Sequence, residues 1–242
     1  MNWREDIQIW VRFLTFRSRE EDFFEARWSL LILAILGTWI VGIGRWVTDR
    51  DALAIQRTGI GSIAYIVALS TALYVMLWFV SNRKTRYLDM LVVVGMTSPP
   101  ALVYAIPVER WFTPDVSAGL HAAALAFVSI YRVSLLIFYL VRSRRYDISG
   151  AVFGFLLLLS CILLWLFLSG KTGITFTGMG GIERADPEIA QDVANAINAL
   201  GCFPCLVAPL AGLFYLISVA SNWPPGGLPH RARKQNSEGD QS

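Results

Sequence analysis

Residues 148–169 read ISGAVFGFLLLLSCILLWLFLS, an apolar run without a single charged side chain. A helix rises about 1.5 Å per residue, so about 20 such residues cross a hydrocarbon core about 30 Å thick. A water-soluble core in a chain of this size needs no uninterrupted run of that length. The run therefore predicts a transmembrane helix.

Similar apolar runs lie on both sides of this stretch, at residues 28–43, 60–80, 88–107, 117–141 and 203–221. They lack the strict alternation of apolar and polar residues that is typical of membrane barrels. Backbone groups in lipid need partners within their own segment, which a helix provides. The sequence predicts an all-α fold, a polytopic transmembrane helical bundle of about six spans.

The composition supports a membrane protein and excludes several other classes. Of 242 residues, 55% are apolar and 16% are charged, and the mean hydropathy is +0.51. Soluble proteins carry about 25% charged residues. Three cysteines exclude a secreted disulfide scaffold, and a net charge of +3 is too small for a nucleic-acid partner. The expected partner is the lipid bilayer.

The basic residues predict the orientation of the bundle. Of the 21, 14 fall on the side that holds the amino terminus, the second and fourth loops and the carboxyl tail, against six opposite. Basic loops stay in the cytoplasm. We therefore expect a multi-pass protein of the cell inner (cytoplasmic) membrane with both termini cytoplasmic.

Three parts follow from these boundaries. Residues 1–27 form a cytoplasmic amphipathic or interfacial segment, residues 28–221 the transmembrane domain, and residues 222–242 a disordered cytoplasmic tail.

The amino-terminal segment is predicted to form an amphipathic helix. Trp3, Ile7 and Trp10 share one helical face, which makes them candidate membrane-surface contacts. The alternative is that this helix packs on the cytosolic ends of the bundle.

Arg132 is the one basic residue well inside an apolar run, and Asp89 near the start of the third run is its expected partner. A charge in the bilayer is costly, so it faces the bundle or snorkels to the interface. The two residues are a candidate intramembrane polar site for an anionic substrate or lipid headgroup. The alternative is a purely structural pair.

Prolines interrupt two of the runs. Pro99 and Pro100 lie in the third span, and Pro204 and Pro209 lie in the sixth. Broken helices at matching positions of two halves are typical of transporters built from inverted repeats. The spans hold few polar residues for binding an ion, which weakens this interpretation.

Cys202 and Cys205 are a candidate redox pair at a helix start, where the helix amino terminus stabilises a thiolate. A quinone-linked oxidoreductase of this kind also needs a second pair, whereas the remaining cysteine, Cys161, stands alone. The alternative is that these cysteines only fill space between helices. No catalytic, cofactor-binding or metal-binding residue is predicted, because His121 and His230 lie on opposite predicted sides.

Some of these stretches resemble a known family. Residues 12–17 (RFLTFR), which precede the first span, and residues 89–95 (DMLVVVG) with the following Ser98 and Pro99 are similar to bacterial Yip1-domain proteins. The family usually has five spans, whereas six are counted here. The resemblance implies a non-enzymatic integral membrane protein and supplies no catalytic residue. Eukaryotic members organise vesicle membranes through partner proteins.

We therefore expect a non-enzymatic membrane-organising protein or helper subunit with membrane-protein partners. The first alternative is a small-solute or lipid transporter that uses the proline-broken helices. The second is a membrane thiol-disulfide oxidoreductase that uses Cys202 and Cys205.

Overall fold

The computed structural model describes residues 3–23, 27–46, 58–81, 86–108, 111–143, 145–168 and 203–222. These ranges fold into α-helices and two 3-10 segments, Glu20–Phe23 and Pro99–Ala105. Strand-like pairing within them is limited to one isolated bridge between Ser81 and Tyr146. The helices are α1 (Trp3–Leu14), α2 (Trp28–Trp46), α3 (Ile60–Trp78), α4 (Tyr87–Met96), α5 (Pro114–Arg142), α6 (Ile148–Leu168) and α7 (Phe203–Asn222).

Several of these helices are long and apolar enough to cross a membrane, which confirms the all-α class and the membrane character. Within the described ranges, four stretches meet both conditions: Ile60–Trp78, Tyr87–Ala105, Gly119–Arg142 and Ile148–Trp165. Two further apolar helices, Trp28–Gly44 and Val207–Ser221, are shorter. All six runs that the sequence marks as spans are thus helical, and four have spanning length.

The helices meet at a common end of the bundle, which we name the Arg145 end. The backbone N–H of Asp147, just before α6, donates to the carbonyl of Val80, just after α3 (3.0 Å). Ser218, near the end of α7, donates to the Asp147 carboxylate (2.6 Å). The ends of α3 and α7 therefore lie beside the start of α6, and these helices run antiparallel to α6.

The third span is broken, as Pro99 and Pro100 predict. Helix α4 ends at Met96, and the chain continues as the 3-10 segment Pro99–Ala105. Proline has no N–H to donate and its ring clashes with the preceding turn, so an α-helix cannot continue through two of them without distortion. The break leaves the carbonyl end of α4 inside the bundle.

The sixth span corrects the prediction of a second broken helix. Helix α7 runs without interruption from Phe203 to Asn222, with Pro209 inside it. Pro204 lies in the first turn, where the missing N–H has no partner to lose. A single interior proline removes one hydrogen bond, which membrane helices tolerate. The two halves of the chain therefore do not share a matching break.

The core joins α1 to the bundle. Its largest fully buried side chains include Tyr139, Phe13, Ile66, Leu77 and Met90. Close packing of α6 on α7 depends on small residues, because a Cβ at Gly154 would lie 2.9 Å from the ring of Tyr215. Gly150 makes the same kind of contact, because a Cβ there would clash with Ser218 Oγ.

Helix α1 packs against the side of the bundle through one face. Ile9 and Phe13 are buried in the core, and Tyr131 of α5 donates a hydrogen bond to the Leu14 carbonyl. An ion pair between Glu5 and Arg27 (2.9 Å) ties its first turn to the start of α2. Helix α1 thus contacts the middle of α2 and α5, whereas the packed alternative predicted from the sequence placed it on the cytosolic ends of the bundle.

Candidate functional site

The carbonyl end of α4 is the polar centre of the bundle. Thr97 donates to the Val94 carbonyl (2.7 Å), and the indole N–H of Trp10 donates to the Met96 carbonyl (3.0 Å). The last carbonyls of a helix have no donors within it, so other groups have to donate hydrogen bonds to them. In this bundle a buried threonine and a tryptophan from α1 fill that role.

Helix α2 supplies a further hydroxyl to the same place. Thr38 Oγ1 lies 3.4 Å from the Gly95 carbonyl oxygen and 2.8 Å from Ser98 Oγ. This approach needs glycine, because a Cβ at Gly95 would lie 2.8 Å from the Cβ of Ala34. The close crossing of α2 and α4 thus brings buried hydroxyl groups to the break in the third span.

Arg132 lies at this polar centre, half-buried on α5. Its Nε donates to Thr97 Oγ1 (3.3 Å), and its guanidinium carbon lies 5.4 Å from the centre of the Tyr65 ring. The helix end beside it carries partial negative charge, and a cation over an aromatic face is attracted to the ring. Each contribution is about 0.5–2 kcal/mol, against a cost of about 2.5–3.5 kcal/mol for arginine at the centre of a span.

The rest of the Arg132 guanidinium remains open to a ligand. Among the residues that the structure describes, no carboxylate lies within 4.0 Å of it, and its two terminal amino groups have no hydrogen-bond acceptor. A guanidinium with two adjacent donors unfilled is suited to bind two oxygens of one anion.

Asp89 is not the partner of Arg132. Its carboxylate pairs with the guanidinium of Arg145, and the two residues are 5% and 4% exposed. Asp89 also accepts from the backbone N–H of Arg86 (3.5 Å), at the first turn of α4. The candidate polar site of the sequence therefore divides into a structural ion pair and a separate arginine.

The sequence contains a weak signal for the Arg145 pair. The start of the third span and the loop before α6 fall on the same predicted side of the membrane. Asp89 could therefore have been paired with a basic residue of that loop. Three arginines, Arg142, Arg144 and Arg145, lie in that loop. Nothing in their spacing distinguishes the one that turns inward.

A cavity of about 530 Å³ adjoins Arg132, within the range of about 300–1,000 Å³ that is usual for small-molecule sites. It lies among α2, α3, the 3-10 segment Pro99–Ala105, α5 and α6. Four of these elements contribute hydroxyl groups to its lining, whereas α6 contributes only apolar side chains; the hydroxyl groups belong to Thr38, Ser62, Ser98, Tyr104 and Ser129.

The candidate membrane-surface residues take two different positions. Trp3 and Ile7 are exposed on α1. Trp10 is instead half-buried and packs on Gly37, where a Cβ would come within 2.6 Å of the indole ring. Its ring turns inward because the Met96 carbonyl offers its N–H an acceptor.

The candidate redox pair is only partly described. Cys202 lies outside the described residues, and Cys205 is an exposed free thiol in the first turn of α7. Cys161 is also exposed and free. Within the described ranges, no group of three or more metal-ligating side chains comes together.

Comparison of the chain with protein-family models, with curated proteins and with solved structures finds no match. The interpretation of the site therefore depends on its geometry and chemistry.

Proposed function

We propose that the protein is a non-enzymatic carrier of the inner membrane that binds an anionic ligand at Arg132. In this proposal the chain crosses the bilayer six times and the Arg145 end faces the cytoplasm. The side of the bundle with the amino terminus, the second and fourth loops and the carboxyl tail carries 14 basic residues against six opposite, which favours this orientation.

The proposal rests on Arg132, which has no carboxylate partner among the described residues and adjoins a cavity. Asp89 is already neutralised by Arg145, so the described residues around Arg132 offer it no carboxylate. The broken third span forms one wall of the cavity. Transporters commonly place their ligand at such a break. Here the helix end is the carbonyl end of α4, which attracts the Arg132 guanidinium, and the guanidinium supplies the positive charge for the anion.

The test uses alkyl sulfonates, whose headgroup stays ionised and therefore does not cross a bilayer as a neutral acid. Purified protein in lipid nanodiscs is titrated with ethanesulfonate, octanesulfonate and hexadecanesulfonate. We expect at least one of them to bind, and Arg132→Gln to weaken that binding about 10- to 100-fold, the value of a charge-assisted hydrogen bond.

The matched control is Arg17→Gln, which removes an exposed arginine beyond the end of α1. It should bind like the unaltered protein. Binding that is equal in both variants, or absent for all three sulfonates, contradicts the proposal. Proteoliposomes loaded with a sulfonate that binds the protein should then release it faster than protein-free liposomes with the same load.

A second candidate is the membrane-organising or helper role, which the exposed side chains of Trp3 and Ile7 favour. Replacement of both by serine should then release a protein partner or alter the lipids that purify with the protein. An unchanged set of partners and lipids contradicts this role.

A further inference from the structure

We propose that the ligand of this cavity is an amphiphile with one apolar chain and a headgroup of single negative charge. The proposal rests on the binding function above, and it adds the class of ligand and the route by which the ligand arrives. The division of the cavity into a polar and an apolar wall supports it.

The polar wall determines the charge of the headgroup. Among the described residues that line the cavity, Arg132 is the one ionised side chain. A headgroup with one negative charge neutralises it, and a second negative charge would remain unpaired in a medium of low dielectric constant. The hydroxyl groups of Thr38 and Ser98, 2.8 Å apart, line the same space, but Thr38 also lies 2.8 Å from the Ala34 carbonyl, so their protons are already engaged. The two terminal amino groups of Arg132 supply the donors for the headgroup oxygens.

The apolar wall accounts for the chain of the ligand. Helix α6 contributes Phe155, Leu158, Leu159 and Ile162, which recur at helical spacing on one face and carry no polar group. A small hydrophilic anion would leave this wall without a partner. An alkyl chain would fill it.

The cavity opens on the outer surface of the bundle. Tyr65 and Ile162 both line it, yet they are 52% and 40% exposed. Ile162 lies fourteen residues beyond the start of α6, about 21 Å from the Arg145 end at 1.5 Å per residue. At that level a spanning helix is surrounded by lipid chains, so the opening admits a molecule that already resides in the bilayer.

The volume fits one chain. A water molecule takes about 30 Å³ in the liquid, so about 530 Å³ holds roughly 18 groups of that size, and a methylene is comparable. One alkyl chain with a compact headgroup matches this space, whereas the second chain of a phospholipid would lie outside the opening.

The test is site-resolved photolabelling of the full chain in lipid nanodiscs. The probe is hexadecanesulfonate with a diazirine at the middle of its chain, and labelled positions are read by mass spectrometry. We expect label at Leu158, Leu159 or Ile162, reduced at least 10-fold in Arg132→Gln and unchanged in Arg17→Gln.

A second variant tests the route without touching the arginine. Gly61 lines the opening, and a Cβ there would have no atom within 4 Å. Gly61→Leu should therefore fold, keep the melting temperature and lower the labelling several-fold by narrowing the opening. Full labelling of this variant overturns the lateral route.

A competition experiment distinguishes a failure of the proposed ligand class from a failure of the binding function. Unlabelled hexadecanesulfonate should displace the probe at a concentration at least 10-fold lower than ethanesulfonate does. Equal, Arg132-dependent competition by both would overturn the amphiphile and leave the binding function intact. Label confined to exposed positions of α7, such as Leu213 and Leu216, would overturn the amphiphile, and the binding function would fall as well only if ethanesulfonate and octanesulfonate also failed to bind.

Discussion

The buried pair of Asp89 and Arg145 joins the start of α4 to the turn before α6. Removal of one partner leaves the other charge buried without compensation, which usually costs about 3–5 kcal/mol. We expect Asp89→Ala to lower the free energy of unfolding by about this amount, measured by denaturant titration in detergent.

The control for that prediction is the double variant Asp89→Leu/Arg145→Met, which replaces both charges by apolar groups of similar size. It should recover most of the lost stability, because no uncompensated charge remains. A double variant as unstable as Asp89→Ala contradicts the assignment of the pair.

Asp147 gives the protein a stability that depends on pH. Partial burial raises the pKa of its carboxyl, but hydrogen bonds from Ser149, Ser218 and the Gly150 N–H outweigh that effect and hold the pKa below its ordinary value. The contribution to stability is therefore present above the ordinary pKa of 3.8 and is lost as the pH falls through the lower, folded-state value.

Replacement of the Asp147 carboxylate should remove this dependence of protein stability on acidic pH. We expect Asp147→Ala, which removes the acceptor, to be less stable than the unaltered protein at pH 7, by about 0.5–2 kcal/mol as for other helix caps. At a pH well below 3.8 the difference should shrink. Unfolding midpoints measured at both pH values check this, and a constant difference between the proteins contradicts it.

At the scale of residues, the sequence indicated which charges are buried better than it indicated their partners. Arg132 stands out because its neighbours along the chain are apolar. Its contacts with Thr97 and Tyr65 come from two other helices, and no spacing along the chain encodes them. Arg145 looked like any basic loop residue, because its burial depends on the position of α4.

At the scale of elements, the docking of α1 depends on the space above Gly37. We expect Gly37→Ala to displace the Trp10 ring, and Trp10→Phe to keep the ring but lose the hydrogen bond to Met96. Either change should weaken the packing of α1. Trypsin should then cleave after Arg17 and Arg19 several-fold faster, since one hydrogen bond contributes about 1 kcal/mol.

Gly119→Ala is the matched control for the glycine, because a Cβ at Gly119 would have no atom within 4 Å. Its rate of tryptic cleavage should equal that of the unaltered protein. Equal cleavage of Gly37→Ala and Gly119→Ala would show that α1 is not held by this contact.

Among the elements, the break at Pro99 was predictable and the continuity at Pro209 was not. Two adjacent prolines exclude a regular helix, whatever surrounds them. A single proline leaves a choice that depends on packing, and α7 packs tightly on the glycine face of α6. The sequence alone does not contain that interface.

At the scale of the whole molecule, the proposed orientation can be tested with single cysteines in a chain without Cys161, Cys202 and Cys205. Thr113, at the start of α5, and Ser221, at the end of α7, are both exposed and lie at opposite ends of the bundle. In intact cells an impermeant maleimide should label Thr113→Cys and reach Ser221→Cys only after lysis. The reverse pattern contradicts the orientation.

The architecture as a whole was the part most open to prediction. Hydrocarbon imposes helices on any spanning segment, so the apolar runs alone indicated the six helical positions. The number of crossings depends on α2 and α7, whose apolar lengths are shorter. The resemblance to Yip1-domain proteins and the redox pair stay predictions.

The contacts of α1 also impose an order on biosynthesis. Trp10 bonds to Met96, which is made 86 residues later. The Leu14 and Ser18 carbonyls accept from Tyr131 and Arg142, which are made 117 and 124 residues later. At about 5–20 residues per second, the ribosome takes roughly 6–25 s to supply the last of these. Until then the first helix to be made has only its contacts with α2 in its own chain, so a membrane surface or a chaperone has to shelter its remaining apolar side chains.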